Sequence, residues 1–259
     1  TKYFSKRVME FWMQEYHVDG YRFDLSKGFT QRNNPTNAGA WGAYDQSRID
    51  IWKDYYDFMK SVDTNVYCIL EHFADNSEEK VLADYGMMLW GNLNYNYSEA
   101  TMGYVSTSNF SSGYYKSRNW LNPNLVTYME SHDEERQMYK NLTYGNQANP
   151  AYDVRSLNTA LARSEAAAAF FFTVPGPKMV WQFGELGYDI SIVQNGRVGN
   201  KPILWNYYQN ANRRKLYDVY RSLIALKKIE PVFENPTTYT QQLVGAAKSI
   251  HLANANTSV

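Results

Sequence analysis

Apolar and polar residues alternate along this chain in two periods. Val8, Phe11, Trp12 and Glu15–Tyr16 fall at i, i+3, i+4 and i+7/i+8, which predicts an opening helix. His17–Gly20 breaks it, and Tyr21–Leu25 reads as a short buried strand. Asp45 is placed to cap a second helix whose inner face carries Ile49, Trp52, Tyr56 and Met59. Val66–Leu70, Met87–Trp90 and Leu125–Met129 predict three further strands; the stretch Asn92–Asn122, rich in Tyr, Asn and Gly, has loop character. An Ala-rich helix is predicted from Val154 to Phe172, stopped by Pro175-Gly176-Pro177, with a fifth strand at Met179–Phe183. A last amphipathic helix, Asn212–Lys228, turns Leu216, Val219–Tyr220, Leu223 and Leu226 inward. After Pro231 the pattern shifts to short alternating pieces.

Strands that alternate with helices and are apolar on both faces imply a parallel sheet under helical cover. Asp24, Glu71, Asp133 and Gly184-Glu185 all fall just after strand ends. In a (β/α) barrel those ends converge on the catalytic face. A doubly wound sheet also binds ligands at strand ends, but no Gly-rich phosphate loop follows any strand here. The expected fold is therefore α/β, of the (β/α)8 TIM-barrel type. It is incomplete, with about five βα units over residues 1–231 and the start of a small β domain over residues 232–259. Five strands do not close a barrel of eight, so the expectation is a piece of a longer polypeptide with three strands upstream.

Composition narrows the function. Twenty-six Lys+Arg balance 26 Asp+Glu among 259 residues, which argues against a nucleic-acid partner. No apolar run approaches the roughly 20 residues of a membrane span. Cys68 is the only cysteine, so there is no disulfide framework. The 23 Tyr, 12 Phe and 7 Trp make 16% of the chain. Rings with a polar tip suit a half-wet cleft, and sugars, with flat C–H faces and many hydroxyls, suit such a cleft; compositional drift explains the count equally well.

The carboxylates carry the chemistry. Arg22 precedes Asp24 by two residues, so on a strand both side chains share a face. A guanidinium there keeps Asp24 ionised, as a nucleophile requires; an ordinary ion pair at a strand end reads the same way. Glu71 follows four apolar residues, where desolvation raises a carboxyl towards general-acid duty, although taken alone a Glu that caps the next helix or pairs with a Lys is the better reading. Ser131-His132-Asp133-Glu134-Glu135-Arg136 is a polar cluster that could open a helix. It has no His-x-x-x-His or Cys pair to make a zinc site. Two carboxylates flanking one bond, one ionised and one protonated, are the equipment for glycoside cleavage, with a third acid to hold ring hydroxyls.

With these residues in view the chain resembles the second part of the catalytic barrel of the α-amylase family of α-glucan hydrolases and transglycosylases. Val18-Asp19-Gly20-Tyr21-Arg22-Phe23-Asp24 is similar to the fourth-strand motif of that family, whose Asp is the nucleophile and whose Arg orients it. Ile69-Leu70-Glu71 is similar to the fifth-strand segment with the acid/base Glu, and Ser131-His132-Asp133 resembles the seventh-strand motif. Gly176 to Glu185 resembles the eighth-strand signature. The order of the four motifs and their spacing agree with the family. The resemblance implies catalytic Asp24, Glu71 and Asp133, with Arg22, His132 and Lys27 as substrate-binding residues. The motifs also depart from the family: Gly28 stands where a His often follows Lys27, and Ser131 replaces an Asn.

The implied function is retaining cleavage of α-1,4-glucosidic bonds in starch- or glycogen-like polysaccharides and oligosaccharides. Two alternatives stay open: a transglycosylase similar to the branching enzymes, since Ser-His-Asp-Glu resembles those too, and a non-catalytic carbohydrate-binding fragment. No cofactor or metal is assigned, calcium stays open for a longer polypeptide, and open barrel edges would favour self-association. The substrate would set the location, extracellular or periplasmic for starch and cytoplasmic for glycogen.

Overall fold

Five short strands, β1 (Gly20–Phe23), β2 (Tyr67–Leu70), β3 (Met88–Asn92), β4 (Leu125–Tyr128) and β5 (Lys178–Met179), lie in one sheet in chain order. The β1–β2, β2–β3 and β4–β5 pairs are parallel, and a helix follows every strand. This is the βα repeat of an incomplete (β/α)8 barrel, as the alternating pattern predicts. The structure, a computed structural model, describes residues 1–259. It divides into two units: residues 1–91 with 115–126, and residues 92–114 with 127–259.

The first unit holds α1 (Lys2–Tyr16), α2 (Gln46–Val62) and α3 (Asn76–Tyr85) beside β1 to β3. Asp45 caps α2 as expected, its carboxylate accepting from the Ser47 N–H at 2.9 Å. Asp75 caps α3 in the same way, and Glu78 and Glu79 fill its first turn, where acids complement the helix dipole. Ile49, Trp52 and Met59 of α2, Leu82 and Ala83 of α3, and Leu70 and Leu89 of the strands are all fully buried. Each large side chain among them contributes about 1.5–3 kcal/mol on leaving water. Strand β1 meets β2 closely at Gly20, where a Cβ would lie 2.4 Å from the Tyr67 carbonyl oxygen. The opening helix departs from its apolar stripe. Met9 and Met13 are its buried residues, while Phe11, Trp12 and Tyr16 stay exposed and pack their rings on one another.

The second unit is built on α4 (Asn94–Met102), α5 (Gln137–Tyr144), α6 (Leu157–Thr173) and α7 (Ala211–Ile229). Tyr97, Met129, Ala160, Leu161, Ala168, Phe171, Leu216 and Tyr220 form its core. Leu226 is exposed rather than inward, because α7 ends within a turn of it at Ile229. Asn92–Asn122 is not loop throughout: it contains α4, which the hydrophobic pattern hides because Asn94, Ser98 and Thr101 are buried beside Tyr97. The fifth strand is also shorter than expected. Phe183, at φ 61°, turns the chain into a 3-10 turn at Gly184–Leu186, which takes Trp181 and Gln182 off the ladder. The segment after Pro231 forms an antiparallel pair, β6 (Thr238–Gln242) and β7 (Ser249–Ala253). No helix is long and apolar enough to cross a membrane.

Candidate active site

The Glu71 N–H donates to the Phe23 carbonyl at 3.0 Å, which carries the β1–β2 ladder one residue past the strands. That bond fixes the backbone from which Glu71 projects. Past β1 the chain turns sharply, with Leu25 in the left-handed region at φ 44°, and the Leu25 N–H donates to Glu71 Oε2 at 3.0 Å. Arg22 joins the two acids: Nη1 donates to Asp24 Oδ1 at 2.7 Å and Nη2 lies 3.2 Å from Glu71 Oε2. Its guanidinium also lies 5.2 Å from the centre of the buried Trp90 ring.

The carboxylates differ in environment. The Asp24 side chain is 68% exposed and that of Glu71 only 10%. Burial raises the pKa of Glu71, the Leu25 N–H and Arg22 oppose that rise, and the neighbouring Asp24 carboxyl adds to it. One acid is solvated and salt-bridged, the other nearly dry and inclined to hold its proton. Glu71 does not cap α3; Asp75 does.

A buried network lies behind Glu71. The Ser26 N–H donates to the Glu71 carbonyl at 2.9 Å, and Ser26 Oγ lies 2.8 Å from His72 Nδ1. His72 Nε2 is 2.7 Å from Glu78 Oε1. Burial holds the His72 pKa below its usual value, and the ring bridges Glu78 to Ser26, whose hydroxyl donates to the Glu71 carbonyl at 2.8 Å. Arg48 grips both oxygens of Glu78, Nε to Oε1 at 2.6 Å and Nη2 to Oε2 at 2.7 Å. It also donates to the carbonyls of Lys27, Trp41 and Ala43. Lys27 is thus placed in the loop after β1, with its carbonyl held by Arg48 and its side chain half-buried.

In the second unit, His132 and Asp133 follow β4, both about half exposed, with His132 Nε2 3.4 Å from Asp133 Oδ2. Arg197 Nη2 donates to the Asp133 carbonyl at 2.7 Å and lies 3.7 Å from its carboxylate. The Trp181 ring lies 5.6 Å from that of His132. Ser131 and Asp133 do not cap a helix, since α5 begins at Gln137. Ser131 Oγ instead donates to Glu134 and accepts the Asp133 N–H at 3.1 Å, which shapes the turn. Asn94 on α4 braces this segment by donating to the carbonyls of Met129 and Glu135.

The structure therefore brings Arg22, Asp24 and Glu71 together in the first unit, and His132 and Asp133 together in the second. Sequence reasoning missed Arg48, His72 and Glu78, which hold the loop behind Glu71, and Glu130. Glu130 is a buried acid whose pKa burial raises and whose Oε1 accepts the first N–H of α5 from Gln137 at 2.7 Å. Gly184 packs so closely on it that a Cβ would lie 2.4 Å from Glu130 Oε2. Gly184 within the eighth-strand signature, and an acid two residues before the His-Asp pair, were the available signals. No three His, Cys, Asp or Glu side chains converge in a way that could hold a metal ion.

Residues 2–212 match the family described as "Alpha amylase, catalytic domain". Alpha-amylase 3 of Dictyoglomus thermophilum is 30% identical over 101 residues, 39% of this chain and 17% of that protein. Among solved structures, AmyP in complex with maltose is similar at a TM-score of 0.65 with 14% identity, over 99% of this chain and 56% of that one. An α-amylase from H. orenii is similar at 0.64 with 15% identity, over 99% and 53%. Apo pullulanase from Klebsiella pneumoniae is similar at 0.65 with 12% identity, over 97% and 36%. The chain spans just over half the length of these structures at most. With the match to the catalytic-domain family running from the opening helix into α7, this chain belongs to the α-amylase catalytic-domain family.

Proposed function

We propose that the polypeptide carrying this chain is a retaining glycoside hydrolase that cleaves α-1,4-glucosidic bonds in starch- or glycogen-like glucans. Asp24 attacks the anomeric carbon and forms a covalent glycosyl–enzyme intermediate, while Glu71 gives its proton to the leaving oxygen. Glu71 then takes a proton from the water that resolves the intermediate, which restores both carboxyl groups to their starting states.

The observation that carries this reading is the single guanidinium of Arg22 in contact with both carboxylates. It salt-bridges the exposed Asp24 carboxyl group beside a Glu71 whose pKa is raised by burial. That division of labour is what a nucleophile and an acid/base need. Two carboxyl groups near enough to share one guanidinium also leave little room for the separate water of an inverting reaction. AmyP has been solved with maltose and, as a variant, with maltotriose, which supports an oligosaccharide ligand. His132 and Asp133 are given sugar-binding parts by the resemblance of their motif to the family's.

The test is turnover of soluble starch and maltooligosaccharides, with anomeric configuration followed by NMR and product length by chromatography. Asp24→Asn should abolish turnover, and Glu71→Gln should lower kcat by about 10²–10⁴-fold. Longer products would mark chain transfer in place of hydrolysis. Initial release of the inverted anomer, or full activity in Asp24→Asn, would overturn the mechanism.

A further inference from the structure

We propose that the groove bounded by α4, α6 and the turn between β6 and β7 is a binding site for a small organic carboxylate carried on an aryl or short alkyl body. It shares no residue with the Arg22–Asp24–Glu71 group or with His132 and Asp133.

The groove encloses about 340 Å³, the size of a site for a small organic molecule. Its floor is the methyl groups of Ala162 and Ala166, one turn apart on α6, which also brings Arg163 and Phe170 to the groove. Its apolar wall is Phe110, with Phe170 at 5.9 Å between ring centres. Phe110 is fixed from behind by Tyr97, stacked at 4.1 Å and nearly parallel. Both rings are buried, so the wall exists before any ligand arrives.

The polar part of the lining is one-sided. Arg163 and Lys248 line the groove with the hydroxyls of Thr101, Ser108 and Tyr152, and no carboxylate or carboxamide side chain does. Arg163 is immobilised through Nε on the Thr101 carbonyl at 2.7 Å and through Nη2 on the Ala100 carbonyl. Lys248 is held by Ser108 Oγ at 3.0 Å and by the Gly245 carbonyl, with its ammonium 5.2 Å from the Phe110 ring centre. Neither cation has a carboxylate within ion-pair distance. Three other arginines held by hydrogen bonds do: Arg48 on Glu78, Arg118 on Glu79 and Arg213 on Asp189. Burial also lowers the Lys248 pKa, the sign of an ammonium short of compensating charge.

Two fixed cations over a methyl floor, beside a preformed aromatic wall, match an anion with an apolar body. A neutral sugar needs acceptors as well as donors, and the groove's side chains supply no carboxylate or amide for that purpose. The carboxylate takes the N–H groups that Arg163 and Lys248 do not spend on backbone carbonyls, and the ring or alkyl body lies on Ala162 and Ala166.

The experiment is isothermal titration calorimetry at low salt with benzoate and hexanoate. Benzyl alcohol, hexanol, acetate, inorganic phosphate and maltotriose serve as comparisons. The expected result is saturable one-to-one binding of benzoate or hexanoate, with each alcohol and acetate at least about tenfold weaker, as loss of a charge-assisted bond or of the apolar body requires. Lys248→Met and Ala166→Leu should each weaken binding about tenfold. Ala166 is exposed on a helix, so Ala166→Leu fills the groove without touching the core, and circular dichroism confirms that it folds. Equal binding of the alcohols, unchanged binding in Ala166→Leu, displacement by maltotriose, or no saturable binding of either carboxylate would each overturn the assignment. None of these readouts depends on glucan turnover.

Discussion

Replacing Arg48 by Met tests whether the buried ion pair holds the loop behind Glu71. The Arg48 and Glu78 side chains are 1% and 0% exposed. Removing the guanidinium leaves the Glu78 carboxylate in a dry site with only the Asp45 N–H and His72 as donors. Breaking one partner of such a pair costs about 3–5 kcal/mol, a large share of the ~5–15 kcal/mol that stabilises a domain. Glu78→Gln should cost about the same, since it strands a buried Arg48 cation. The double variant removes the charge mismatch and leaves mainly unpaired backbone groups. It should therefore lose about as much as either single variant, so the coupling equals one such loss, about 3–5 kcal/mol.

Urea unfolding of the four proteins measures this cycle directly. Hydrogen exchange locates the effect: amides from Leu25 to Ala43 should exchange faster in Arg48→Met, because Arg48 holds the carbonyls of Lys27, Trp41 and Ala43. Losses that add to within about 0.5 kcal/mol would show that the two side chains act independently, and the reasoning would fail.

Three further outcomes follow from the same geometry. Burial raises the Glu79 pKa from 4.5 to about 7, against the opposing pull of Arg118. The stability that the protonated form contributes is fully present below pH 4.5 and lost as pH rises to about 7, roughly 3 kcal/mol in all. His72, with its pKa lowered, slopes the other way, so the difference in urea midpoint between wild type and Glu79→Gln isolates the Glu79 part, and a flat difference would refute it. Asp24→Asn should lower the Glu71 pKa in a carbon-13 NMR titration, because the Asp24 carboxyl raises it; an unchanged or raised value would show that Asp24 does not act on Glu71 in this way. Gly184→Ala should lower the melting temperature by the effect of about 1–3 kcal/mol of overpacking, since its Cβ would press on Glu130 Oε2; an unchanged melting curve would place Glu130 elsewhere.

The acids were legible in the sequence because a strand end is a local event. A run of apolar residues stopped by Asp or Glu says where the strand stops and which side chain emerges there, and Arg22 at i−2 meets Asp24 as that periodicity requires. The supports of the site were not legible in this way. Hydrophobic patterning treats an arginine as solvent-facing, yet Arg48 lies inside, next to Ile49 on α2. Only the three-dimensional meeting of Glu78, His72 and Ser26 makes it visible. Helix α3 had a readable start in Asp75-x-Ser77-Glu78-Glu79 and a stop at Gly86; local capping chemistry would have found it where periodicity did not. The opening helix shows the complementary failure. A period tells which residues share a face but not what that face meets, and the stripe of Phe11, Trp12 and Tyr16 meets chiefly itself.

That asymmetry bears on how the candidate site acquires its chemistry. A carboxyl at a strand end has no special character; Asp24 and Glu71 end neighbouring strands and are still unlike. What separates them is the second layer. The ladder bond from the Glu71 N–H to Phe23 holds the acid's backbone against β1, and Ser26, itself fully buried, closes over its carbonyl. The turn at Leu25 supplies a single N–H to the carboxylate where solvent would supply several. Asp24 lies one residue before that turn and escapes the enclosure. The raised pKa of Glu71 is therefore a property of the loop that Arg48 and Glu78 fix in place. A variant that loosens the loop should bring the two acids closer in character even with Arg22, Asp24 and Glu71 all present.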